Sequence, residues 1–148
     1  MTQLVLPSHI NARGTIFGGT VVSWIDIAAA IAAQRHSNSD VVTASIDQLH
    51  FVAPVFMGWV VNLKASVNFV SKTSMEVGVR VDAENPRTGE SFHTSSAYLT
   101  FVALDLAGKP KEVPALLLES SDEVRRHKEA TQRRIHRVAE RNKYQKRA

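Results

Sequence analysis

From residue 60 onward the chain alternates. Val61, Leu63, Ala65, Val67 and Phe69 fall on one side of an extended chain, with Asn62, Lys64, Ser66 and Asn68 on the other. Met75, Val77, Val79, Val81 and Ala83 repeat the pattern. This period of two predicts half-buried antiparallel strands over 60–70 and 75–84. Asn85-Pro86-Arg87-Thr88-Gly89 reads as a hairpin turn leading into a last long strand over 91–105. Residues 41–51 are a further candidate strand, and 4–6 a short first one ended by Pro7. Gly108, Pro110 and Pro114 break the chain, and 120–143 reads as a polar helix.

Between the first two candidate strands the pattern changes. Residues 19–35 hold Val21, Val22, Trp24, Ile25, Ile27 and then almost unbroken alanine and isoleucine, so this helix is apolar nearly all round and other elements should wrap it. A sheet with one apolar face, curling around such a helix, is the packing this order predicts. The helix is too apolar for one sheet, so a second subunit is expected to close the open side.

Asp26 is the only charged side chain between Gly19 and Arg35. A lone buried carboxylate costs several kcal/mol in order of magnitude unless it is paired or neutral. It is therefore either a functional group or a carboxylate bonded to buried backbone that only stabilises the fold. Gly14, Gly18 and Gly19 precede it where a loop becomes a helix. The first helical N–H groups lack internal partners and carry the positive end of the dipole, which suits an anion or a developing oxyanion. Asp26 lies about two turns further in, at ~3.6 residues per turn, and so cannot cap that end.

Length and composition narrow the class. One domain of 148 residues can build a single core. With no cysteine there is no disulfide, thiolate nucleophile or zinc–thiolate site, which fits a reducing compartment and a cytoplasmic location. The N-terminal residues lack the basic and apolar regions of a signal peptide, and the longest apolar run is too short to span a bilayer. Residues 122–148 hold ten basic and four acidic side chains, a net +6, whereas the whole chain carries +4. Residues 1–121 thus carry −2, and the basic character belongs to the tail.

Familiar catalytic motifs are missing. The sequence contains no G-x-S-x-G, phosphate loop, H-E-x-x-H or G-x-G-x-x-G. Its six histidines show no metal-ligand spacing. Asp47 and His50, three apart on a strand, would point to opposite faces and make a poor dyad.

The blocks Asn11-x-x-Gly14-Thr15-Ile16-Phe17-Gly18-Gly19, Trp24-Ile25-Asp26-x-Ala28-Ala29, Arg35-His36, Val42-Thr43-Ala44-Ser45, Ser71-Lys72-Thr73-Ser74-Met75-Glu76-Val77 and Gly108-Lys109-Pro110 together resemble the hotdog-fold acyl-CoA thioesterases. The nearest groups are the bacterial short acyl-CoA thioester hydrolases and the C-terminal half of the brain-type cytosolic acyl-CoA hydrolase. The resemblance covers roughly residues 4–125 and is carried by the six blocks jointly. It implies an α+β hotdog fold: a curved antiparallel sheet around one long central helix, plus a C-terminal helix. It also implies a hydrolase domain at 1–125 with a basic helical tail at 126–148.

The resemblance further implies hydrolysis of acyl-CoA to a fatty acid and coenzyme A. Asp26 would be general base or nucleophile, Asn11 would position water or thioester, and Gly18 or Gly19 would supply the oxyanion N–H. Phe17 stands where many relatives carry histidine. Phe17, Ser45, Ser71, Lys72 and Thr73 are the candidate substrate contacts. No cofactor or metal is implied, since coenzyme A is part of the substrate. In the family the site is shared between two subunits, which implies a homo-oligomer, a hexamer built as a trimer of dimers.

Two other classes fit less well. An enoyl-thioester hydratase on the same fold would need a histidine in the Gly-rich block. A non-catalytic acyl-CoA-binding module would have no use for an unpaired Asp26. The tail reads as a solvated helix with a frayed end, or as a basic arm near the phosphates of coenzyme A or nucleic acid. Lys72 and Arg80 are further phosphate candidates. With Tyr144 its only aromatic, the tail is poorly suited to stacking on single strands.

Overall fold

The computed structural model describes residues 1–148. Its order is β1 (Thr2–Leu4), α1 (Gly18–Ser37), β2 (Asp40–Ile46), β3 (Val60–Val70), β4 (Ser74–Glu84), β5 (Ser91–Leu104) and α2 (Ser121–Arg147). The five strands form one antiparallel sheet in the order β1-β3-β4-β5-β2, curled around α1 as the hotdog fold requires. α2 lies on the opposite, outer face.

The core follows from the alternation. Met75, Val77, Val79, Val81 and Ala83 of β4 and Ala97, Leu99, Phe101 and Ala103 of β5 are almost fully buried. They face Val21, Trp24, Ile25, Ala28, Ala29 and Ala33 of α1. The alanines let the helix lie close to the sheet. α1 ends at Asn38, which takes the left-handed conformation and returns its N–H to the Gln34 carbonyl at 2.8 Å.

Several boundaries differ from expectation, each for a local reason. β1 is Thr2–Leu4 rather than 4–6, because Val5 faces two residues at once, donating to the Trp59 carbonyl and accepting from the Gly58 N–H, and the regular ladder ends there before Pro7. β2 stops at Ile46 instead of running to 51. After a bulge between Thr43 and Ser45 the chain leaves the strand at Asp47, whose carboxylate is bound by Arg137.

Phe69 does not share the core face with Val67. An extra residue, Asn68, is inserted between the Val67–Val77 and Phe69–Glu76 pairs, and one inserted residue inverts the facing of everything after it. Phe69 therefore points outward beneath α2, its ring centroid 5.4 Å from that of His127.

The C-terminal helix is not simply solvated. Its Arg133 donates three hydrogen bonds to Glu76, and Arg137 Nη1 donates to Glu76 at 2.7 Å and Asp47 at 3.0 Å. Glu76 is 1% exposed. The guanidinium of Arg133 also lies 3.6 Å above the Tyr98 ring. Burial works against the Arg133 charge, but the hydrogen bonds and charge of Glu76 outweigh it and hold its pKa above the ordinary value. Sparse apolar spacing hid this docking, because arginines rather than leucines make the contact.

Candidate active site

The site begins in the loop before α1. The Asn11 side-chain oxygen accepts from Arg13 N–H at 2.9 Å and from Thr15 N–H at 3.3 Å, while its amide donates to the Thr15 hydroxyl at 3.0 Å. Gly14 closes this turn at φ +80, a conformation that costs other residues strain, with its N–H on the Asn11 carbonyl. Asn11 thus braces the loop that delivers the chain to the start of α1.

At that start, Thr20 and Val21 donate to the Phe17 carbonyl at 3.1 and 3.3 Å. The N–H groups of Gly18 and Gly19 find no acceptor in the chain. Such free donors at a helix N-terminus can stabilise negative charge developing on oxygen. Gly18 lines a cavity of about 330 Å³ whose other walls are chiefly apolar, including Val21, Val52, Val55, Val61 and Val81, and Gly19 follows it in the chain. The Phe51 ring borders Gly18 closely: a Cβ there would lie 3.4 Å from it. Phe51 follows no sequence motif, and only the return of the chain after β2 brings it here.

Asp26 is not buried in the single chain. It is half-buried, on the strip of α1 that also shows Ile27 (48% exposed) and Ile31 (38%). Its Oδ1 accepts one hydrogen bond, 2.7 Å from the Thr43 hydroxyl on β2, and it has no ion-pair partner. β2 is an edge strand, and Val42 and Ile46 on it are 46% and 41% exposed. The single chain leaves Asp26 partly open because its sheet covers only one side of α1, the other being the side expected to meet a second subunit. Thr43 was legible as part of the Val42-Thr43-Ala44-Ser45 block but not as the partner of Asp26, since that contact spans seventeen residues.

The other candidates are dispersed. Phe17 is half-exposed beside Gly18, and Ser45 is half-buried on β2. Ser71, Lys72 and Thr73 form the β3–β4 turn, where Ser71 and Ser74 hydroxyls are 2.6 Å apart and the Lys72 carbonyl accepts from Val113. Thr73 pairs with Ala103, at the end of the sheet away from the cavity. No hydrogen bond joins Asn11 to Asp26 within the chain. No cluster of side chains suits a metal ion.

Residues 13–90 match the family model described as "Thioesterase superfamily". An uncharacterised acyl-CoA thioester hydrolase of Bacillus subtilis is 42% identical over 132 residues, covering 89% of this chain and 77% of that protein. The mouse cytosolic acyl coenzyme A thioester hydrolase is 34% identical over 95% of this chain, which spans only 38% of its length. A crystal structure of an apo-hexameric acyl-CoA thioesterase superposes with a TM-score of 0.91 at 44% identity, covering 95% of this chain and 90% of that one.

The Staphylococcus aureus acyl-CoA hydrolase, solved with butyryl coenzyme A and coenzyme A, gives 0.92 at 36% identity, covering 99% and 89%. Alanine variants of an asparagine, an aspartate and a threonine of that hydrolase have also been solved. The three stand fifteen and then seventeen residues apart, the same spacing as Asn11, Asp26 and Thr43.

Proposed function

Because the chain belongs to the thioesterase superfamily, we propose that it hydrolyses acyl-CoA to a free fatty acid and coenzyme A, with Asp26 activating the water. The observation that carries this reading is that Gly18, whose N–H like that of the next residue Gly19 is unspent, lines an apolar cavity. A thioester offers a carbonyl for the donors and an acyl chain for the cavity. Asp26 accepts a proton from water as its oxygen bonds to the carbonyl carbon. The Gly18 and Gly19 N–H groups stabilise the resulting oxyanion. The C–S bond then breaks, and the departing sulfur takes the proton back. Thr43 holds the carboxylate in place, and Asn11 orients water or thioester. Phe17, beside Gly18, and Ser45, on the β2 edge, would contact the substrate from the chains that form the site, whereas Ser71, Lys72 and Thr73, at the far end of the sheet from their own cavity, would reach it only at a neighbouring chain's site. No metal or cofactor is required for this chemistry.

The reading includes a second copy of the chain. The β2 edge and the exposed apolar strip of α1 are adjacent and both unpartnered. Pairing two such edges would bury Asp26 and bring Asn11 of one subunit toward Asp26 of the other. Three such dimers would make a hexamer, and the 44%-identical relative is hexameric. No helix is long and apolar enough to cross a membrane. The absence of cysteine accords with a cytoplasmic setting.

The alternatives find no support in the side chains. His9, beside the Gly-rich loop, has Nδ1 occupied by the Leu6 N–H at 3.0 Å and its ring against Trp24, so it does not serve as a hydratase base. A binding module would leave Asp26 locked in an ion pair, and it has none. The test is a rate series from acetyl-CoA to palmitoyl-CoA with wild type and Asp26→Ala. Hydrolysis by the wild type, cut by about 10²-fold or more in the variant, is expected for loss of a general base. A fully active variant removes Asp26 from the mechanism.

A further inference from the structure

We propose that Arg137, acting through Asp47, is a positioning residue for the wall of the acyl cavity and so sets how the enzyme discriminates acyl chain length. This rests on the thioesterase reading above.

The wall is the segment that follows β2. Its residues 51–55 line the cavity, and Phe51 lies against Gly18. The stretch that carries it, 48–51, makes no hydrogen bond of its own. It hangs between two fixed points on β5. At one, Val52 N–H donates to the Thr94 carbonyl at 2.9 Å; at the other, Asp47 N–H donates to the Tyr98 carbonyl at 2.9 Å. The Asp47 end has a second anchor, the ion pair of its carboxylate with Arg137 Nη1 at 3.0 Å. Arg137 itself is held at 2.7 Å by the buried Glu76.

Arg137 is not needed merely to neutralise Glu76. Arg133 already gives that carboxylate three hydrogen bonds. Two carboxylates and two guanidiniums make a balanced quartet, and the only member outside the sheet and α2 is Asp47, at the root of the wall. The side chains of Arg137 and Asp47 are 18% and 22% exposed, so solvent screens the pair only in part. The wall therefore takes its position from the far side of the sheet. A long acyl chain reaches that wall, whereas an acetyl group does not fill the cavity.

The experiment compares full-length wild type, Asp47→Ala, Arg137→Met and the double variant on acetyl-CoA and octanoyl-CoA. Asp47→Ala leaves both arginines on Glu76, so α2 stays docked and the melting temperature is retained even if Arg137→Met folds poorly. For each folded single variant the KM for octanoyl-CoA is expected to rise about tenfold, the scale one methylene's packing carries in an apolar pocket. Acetyl-CoA kcat/KM should stay within about twofold, as for a change remote from the chemistry. The double variant should be no worse than either single, because both cut the same tie.

An unchanged chain-length profile in Asp47→Ala, an equal loss on both esters, or an additive double variant would overturn the proposal. A wild type that hydrolyses neither ester would instead overturn the thioesterase reading, and this inference with it.

Discussion

The Thr43 hydroxyl donates to Asp26 Oδ1 across 2.7 Å, tying the edge strand to the central helix at the one charged position on that helix between Gly19 and Arg35. A single neutral donor fixes one carboxylate oxygen and leaves the other available. It aims the carboxylate without neutralising it, which is what a proton acceptor requires.

Thr43→Val keeps the shape of the side chain and removes only the donor. A hydrogen bond to a charged group is worth roughly 1.5–3 kcal/mol. If that much orientation is lost at the transition state, kcat should fall by roughly tenfold to a hundredfold, with KM little altered. Steady-state kinetics on one acyl-CoA checks this, and circular dichroism should show the fold intact. Wild-type kcat in the variant would mean that packing alone aims Asp26.

Gly78 on β4 faces Asn68, the extra residue of the β3 bulge. A Cβ at Gly78 would stand 2.5 Å from Asn68 Nδ2, closer than side chains approach. Asn68 is 3% exposed and braced by the Ser66 hydroxyl at 3.2 Å, so it has little room to move. Gly78→Ala should destabilise the protein by about 1–3 kcal/mol, the usual range for overpacking. Adding Asn68→Ala should recover part of the loss, read as a partial return of the urea midpoint. A double variant that is simply additive would place the strain elsewhere.

That bulge marks where the sequence stops being readable. Alternation along β3 and β4 identified the core face correctly up to Val67, because burial on one side imposes a period of two. The inserted Asn68 inverts the facing of Phe69, and no composition signal announces it. The central helix was legible from its apolar residues, and the loop glycines from their place before it. The exposure of Asp26, the Thr43 contact, the wall at Phe51 and the docking of α2 were not. Each depends on segments far apart in sequence, and α2 docks through Arg133 and Arg137 onto a buried Glu76, which in sequence is one more charge on a polar face.

Asp82 offers a pH test on the outer face of β4. Burial would raise its pKa, but the hydrogen bond and charge of Arg80, then those of His93, outweigh it and hold the carboxyl below its ordinary value. A carboxylate depressed in the folded state stabilises above its unfolded pKa of about 3.9, and that contribution is lost as pH falls through the folded value. Wild type should therefore lead Asp82→Asn in melting temperature at pH 6, and the gap should close below pH 4. A gap independent of pH would show that Asp82 acts through packing.

The last prediction concerns which chain supplies which residue. In one chain Asn11 braces its own loop and Asp26 lies against Thr43 at the unpaired edge of β2, beside the exposed strip of α1. Two copies joined along that edge would form two equivalent sites, each taking Asn11 from one chain and Asp26 from the other. Asn11→Ala and Asp26→Ala should each be inactive alone. In a mixed dimer one site carries both defects and the other carries neither, so it recovers half the wild-type activity. Random exchange makes about half of the dimers mixed, giving about a quarter of wild-type activity overall. Asn11→Ala disturbs the loop only of the chain that bears it, and the intact site takes Asn11 and its loop from the other chain. Mixtures shown by native mass spectrometry to contain hetero-oligomers, yet as inactive as their parents, would place the whole site within one chain.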